Sequence, residues 1–110
     1  VDLYLFAGMC VSDYDRAKAW YEKLLGAPPT FIPNDTEAVW DVAEGRSVYI
    51  AVKPEHAGHS LTTLFVDNFD EWVAEIAARG LEPALREQYD NGVRKAVYHD
   101  PDGNEFGIGG

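Results

Sequence analysis

Hydrophobic and polar positions follow an order that occurs twice along the chain. Residues 5–11, Leu-Phe-Ala-Gly-Met-Cys-Val, make a short apolar run of the length a buried strand needs. Ser12-Asp13-Tyr14-Asp15 then opens a helix, with Asp13 as the N-cap and Asp15 favourable near the positive helix end. Ala17, Trp20, Tyr21, Leu24 and Leu25 recur at helical spacing, and Gly26 closes the helix ahead of Pro28-Pro29. Two β-rich stretches, 37–43 and 47–53, flank the turn Glu44-Gly45-Arg46. The second half repeats this order with a strand at 61–66 and a helix start at Asp67-Asn68-Phe69-Asp70. Trp72, Val73, Ile76 and Ala77 form the apolar stripe of that helix, and Gly80 ends it. A short segment near 82–87 and strands at 93–99 and 104–108 complete the half. The last two are joined by Asp100-Pro101-Asp102-Gly103-Asn104, a run of turn-forming residues.

The repeat has a register. At an offset of 55, Val11, Tyr14, Asp15 and Ala19 match Val66, Phe69, Asp70 and Ala74, and at 54 Gly26 matches Gly80. At an offset of 58, Trp40, Gly45, Val48 and Ile50 match Tyr98, Gly103, Phe106 and Ile108. The pattern predicts an α+β chain of two βαβββ modules, 1–53 and 59–110, with residues 54–58 as linker. Neither module is long enough to bury a sufficient core alone, so the two are expected to share one.

Composition narrows the function. The 110 residues are 46% hydrophobic and 25% charged, as in a globular protein. A formal charge of −10 repels nucleic-acid phosphates and anionic membrane surfaces, and Arg94-Lys95 is the only adjacent basic pair. Neither nucleic acid nor membrane is an expected partner. No apolar run approaches the roughly 20 residues of a membrane span. A single cysteine, Cys10, and no leader-like opening are read as a cytoplasmic protein.

Taken together, Val11-Ser12-Asp13, Arg16-Ala17 and Trp20-Tyr21-Glu22-Lys23-Leu24-Leu25-Gly26 resemble the vicinal oxygen chelate superfamily. That family includes glyoxalase I, extradiol dioxygenases and bleomycin-resistance proteins. Val66-Asp67-Asn68-Phe69-Asp70 repeats its strand-to-helix step, and Asp100-Pro101-Asp102-Gly103-Asn104 is similar to its most recognisable turn. The resemblance implies curved mixed sheets around a cleft, commonly built by two chains. A homodimer is therefore expected.

In metal-using members, a His or Gln on the first strand of each module and a Glu on each last strand hold the ion. The matching positions here are Phe6, Leu61, Tyr49 and Gly107, none of them a usual ligand for a divalent metal in this family. No cofactor is expected on this ground. A displaced set is the alternative: by strand parity His59 shares the side of Leu61, Glu105 that of Gly107, and His99 adjoins the turn. A shift of two residues moves a donor about 7 Å along its strand, which works against convergence.

Aromatic residues stand where metal ligands would. Phe6 and Tyr49 either line a pocket for a flat ligand or fill it, and Trp40 and Tyr98 lie on nearby strands with their facing open, Tyr98 sharing parity with Ala96. Trp20, Tyr21 and Trp72 read as core. The candidate ligand-binding residues are thus Phe6, Tyr49, Trp40, Leu61, His59, His99, Glu105 and Gly107. The expected activity is metal-free binding of a small aromatic or cationic molecule in a dimer cleft, as in the bleomycin-resistance branch. The alternative is a glyoxalase-like lyase, isomerase or dioxygenase using the displaced metal site or metal-free acid–base chemistry, with His99 or Tyr49 as the proton-transfer group.

Overall fold

A computed structural model of the protein describes residues 2–110. Module one runs β1 (Leu5–Val11), α1 (Tyr14–Leu25), β2 (Phe31–Asn34), β3 (Glu37–Ala43) and β4 (Arg46–Val52). After a 3-10 turn at Pro54–His56, module two runs β5 (Leu61–Phe65), α2 (Phe69–Ala78), β6 (Leu85–Gln88), β7 (Arg94–His99) and β8 (Glu105–Gly109). Each module makes one mixed four-stranded sheet, ordered β1-β4-β3-β2 and β5-β8-β7-β6. The first strand of each runs parallel to the last, because a helical crossover separates them; the others are antiparallel.

The helix ends follow from their residues. The Asp13 carboxylate accepts from the Arg16 amide at 3.0 Å, satisfying one of the free donors of the first turn. Gly26 closes α1 at φ 77°, a left-handed conformation that glycine adopts without a Cβ clash. β2, implied by the βαβββ order but given no residues in the sequence reading, is a four-residue edge strand containing Pro33, so it carries little periodic signal.

The repeat register is realised in the hydrogen-bonded ladders. Met9 pairs with Ile50 as Leu64 pairs with Ile108, and Trp40 pairs with Val48 as Tyr98 pairs with Phe106. These side chains face the helices and merge into one core spanning both modules. Tyr21 is its hinge, with ring centroids 6.0 Å from both Trp40 and Phe106.

Trp40 must therefore be withdrawn from the ligand-binding candidates. It is 2% exposed, and its indole N–H donates to the Ala27 carbonyl at 2.9 Å. Its parity is that of Ala38, which packs toward α1, so the same alternation turns Val39 and Glu37 to the open face. Tyr98 is likewise in the core.

The turn 100–104 locks the modules together. Buried Asp100 accepts from the Tyr21 hydroxyl at 2.7 Å and from the Asn104 side chain at 2.8 Å through one oxygen. Its other oxygen accepts from the amides of Asp102 and Asn104. Asn104, fully buried, donates to the Cys10 carbonyl and accepts from the Ser60 amide. From the same turn, Asp102 accepts from the Ser12 amide and hydroxyl. On the far side, Arg79 donates to the Lys23 and Leu24 carbonyls at the end of α1. No helix among the described residues is long and apolar enough to cross a membrane.

Candidate functional site

With the helix-facing side of each sheet buried, the even residues of β1 and the odd residues of β3 and β4, among them Phe6, Gly8, Glu37, Val39 and Tyr49, make the opposing open face of module one, and the chemistry is there. On module one, Tyr49 lies between Gly8 of β1 and Val39 of β3 as their register partner. Its ring lies over Gly8: a Cβ there would come within 2.7 Å of the phenol ring. Glycine at position 8 is thus what lets the tyrosine lie flat.

Phe6 meets Tyr49 edge-on, with ring centroids 6.5 Å apart and planes at 71°. Together with Phe31, Pro33, Glu37 and Val39 they line a shallow depression of about 360 Å³. Its one charged wall is Glu37, whose carboxylate accepts from the Asn34 amide group. Phe31, Pro33, Glu37 and Val39 escaped the sequence reading. Glu37 and Val39 were legible only once Trp40 was known to face inward, and β2 could be placed only by pairing with β3.

The other candidates lie elsewhere. On module two, Leu61, Glu105 and His99 form one cross-strand row. His99 Nε2 stands 3.5 Å from Glu105 Oε1, both side chains about half exposed. Leu61 is 71% exposed and lines a separate groove of about 660 Å³ beside Leu5, Val42 and Phe65. Gly107 is covered by the Lys95 side chain. His59 precedes β5 and is exposed.

The structure brings the displaced metal set together only in part. The structure pairs His99 with Glu105, yet no group of three or more His, Cys, Asp or Glu gathers to hold an ion among the described residues. The reason is register: Leu61 occupies the place in the row where a third ligand would stand, and His59 is two residues outside it. The positions that the resemblance assigns to metal ligands offer few donors. Phe6, Leu61 and Gly107 carry no donor atom in their side chains, and Tyr49 carries only a phenol.

Two βαβββ modules sharing a core, with an aromatic depression on an open sheet face, define a small α+β protein of the paired-module class. The chain belongs to the Glyoxalase/Bleomycin resistance protein/Dioxygenase superfamily, whose family model matches residues 4–108. It is 53% identical to a glyoxalase/bleomycin resistance protein from Catenulispora acidiphila, whose crystal structure superposes with a TM-score of 0.95 over 98% of this chain and 97% of that one. A bleomycin-binding protein complexed with bleomycin shares the fold at 19% identity, with a TM-score of 0.77 over 99% and 98% of the two chains. So does a lactoylglutathione lyase from Agrobacterium tumefaciens, at 17% identity and a TM-score of 0.79 over 99% and 93%. No curated protein matches the chain.

Proposed function

We propose that this protein binds a small aromatic molecule, neutral or cationic, without a metal, and holds it by sequestration in a cleft completed by a second copy of the chain. The observation that carries the reading is the depression around Phe6, Tyr49 and Phe31 with Glu37 as its only charge. Aromatic walls and a single carboxylate suit a flat ligand, with stacking worth about 0.5–1.5 kcal/mol per ring pair beyond area burial. The bleomycin-binding neighbour supports small-molecule binding on this fold. The donor-poor residues at the family's metal positions support the metal-free mode.

The second copy is argued from exposure. Leu61 and Phe65 are 71% and 69% exposed, and Leu5 and Phe6 58% and 52%. They lie on β1 and β5, each the outermost strand of its sheet. Exposed apolar side chains on a sheet edge ask for a partner. A second chain presenting its module-two face to module one would cover them and deepen the depression into a cleft.

The test is a fluorescence titration with N-phenyl-1-naphthylamine, a neutral planar dye, and thioflavin T, a cationic one. Saturable binding, weakened about 10-fold in Tyr49→Ala at unchanged circular dichroism, is expected. Elemental analysis with add-back of zinc, nickel, iron and manganese runs beside it, and light scattering gives the mass. No dye binding, or one tightly held metal per chain that raises Tm, overturns the reading. The second outcome would favour a metal-dependent lyase or dioxygenase. Turnover without metal, lost in His99→Ala, would instead favour acid–base chemistry by the His99–Glu105 pair, the one geometric feature on that side.

A further inference from the structure

Module two carries an ammonium group that has no ion-pair partner among the described residues and is laid across the middle of its open face. Lys95 sits on β7 at the same parity as Val97 and His99, which turns it away from the core. Its side chain slants over the bare backbone of Gly107. A Cβ at Gly107 would meet Lys95 Cε at 2.6 Å and stand 3.6 Å from Nζ. The alkyl stem is thus packed against the sheet, and the ammonium is held near the centre of the face beside Thr63, whose hydroxyl oxygen stands 3.0 Å from the same point.

Two carboxylates share this face, and neither forms an ion pair with the lysine. Glu105 is engaged by His99. Glu87, the cross-strand neighbour of Lys95 on β6, accepts from the Tyr89 hydroxyl. Among the described residues no carboxylate lies within 4.0 Å of Nζ. In a chain of net charge −10, a half-buried lysine left without an acid is the exception. An ammonium laid over bare backbone near a hydroxyl suits an oxyanion, which gains a charge-assisted hydrogen bond there.

We propose that Lys95 is a ligand-binding residue, and that the molecule taken up carries an oxyanion, of carboxylate or sulfonate type, on its aromatic body. This rests on the preceding reading for the aromatic part alone and departs from it on charge, giving an anionic end to a ligand read there as neutral or cationic. Glu37 stands in the depression of module one, and Lys95 lies over Gly107 on the open face of module two. A ligand lying between them is oriented, its anionic end toward module two.

The test uses two dyes of one skeleton: N-phenyl-1-naphthylamine and its sulfonated form, 8-anilinonaphthalene-1-sulfonate. The wild-type protein is expected to bind the sulfonate the more tightly, against the repulsion of its net charge. Lys95→Met keeps the stem and removes the charge; it should weaken the sulfonate about 10-fold and leave the neutral dye unchanged. Gly107→Ala keeps the charge and displaces the stem, and should weaken the sulfonate in the same direction. Equal loss of both dyes in Lys95→Met, or no loss of either, overturns the lysine assignment while the aromatic depression stands. Binding of the sulfonate alone, lost in Lys95→Met, upholds the lysine and overturns the aromatic depression. Binding of neither dye overturns both.

Discussion

The two modules place opposite solutions at equivalent points. In module one a tyrosine from the last strand, Tyr49, lies across a glycine of the first strand, Gly8. In module two the last strand has glycine itself, Gly107, and Lys95 from the neighbouring strand lies across it. The backbone ladders are the same and the helix-facing residues correspond. The open faces share almost nothing: one is aromatic with a carboxylate at its edge, the other has an ammonium and a His–Glu pair. A fold repeated for its core can therefore diverge on the side that the core does not use, since residues there are not required to pack.

The second contrast is between the two turns that carry Gly45 and Gly103. The first lies at the surface, whereas the second packs its two buried ends, Asp100 and Asn104, against module one, and Asp100 gathers four hydrogen bonds there. Asp100→Ala would leave the Tyr21 hydroxyl, the Asn104 side chain and two amides seeking partners. A loss of roughly 3–5 kcal/mol is expected, read as a lowered urea midpoint. A loss below about 1 kcal/mol would mean that the modules are held by the apolar core alone.

The glycine pair separates next. At Gly8 an added methyl meets a rigid ring, and at Gly107 the movable end of a lysine. Gly8→Ala should cost about 1–3 kcal/mol and abolish neutral-dye binding by lifting Tyr49. Gly107→Ala should cost under about 1 kcal/mol, because the lysine swings aside. Equal costs would show that the two faces are alike in rigidity.

Alkaline pH tests the same latch. Burial first, then the negative charge of Asp100 and the hydrogen bond to it, hold the Tyr21 phenol far above its ordinary 10.0. Below pH 10 the group is neutral in folded and unfolded chains alike and adds no slope. Above pH 10 the unfolded chain gives up its proton first, so stability falls as pH rises. Tyr21→Phe, less stable at neutral pH by about 1–2 kcal/mol, should show a shallower fall. Identical slopes in urea titrations between pH 9 and 11 would refute this.

The smallest effect contrasts Trp40 with its counterpart Tyr98. The indole N–H of Trp40 reaches a carbonyl, whereas the buried Tyr98 hydroxyl has no hydrogen-bond partner among the described residues. Tyr98→Phe should be neutral or stabilising by up to about 1 kcal/mol, and Trp40→Phe destabilising. A clear loss in Tyr98→Phe would reveal a partner for the hydroxyl, such as a bound water.

Local pattern alone set much of this protein. Helical spacing, the Asp13 cap, Gly26 and the Asp-Pro-Asp-Gly-Asn turn are short-range features, and they located both helices and most strands to within a few residues. The offset of 58 anticipated the β-ladder register, because residues that pack on a common helix keep their spacing. The candidate site was legible only in part. Phe6 and Tyr49 came from the family positions, while Trp40 was misplaced because aromatic character alone does not say which face a strand residue takes. That facing was decided when Trp40 packed against Tyr21 and found the Ala27 carbonyl. Phe31, Glu37, Lys95 and the separation of His59 from His99 likewise depend on which strand pairs with which. Strand pairing joins residues far apart in the chain, and only the folded structure, where those contacts form together, selects it.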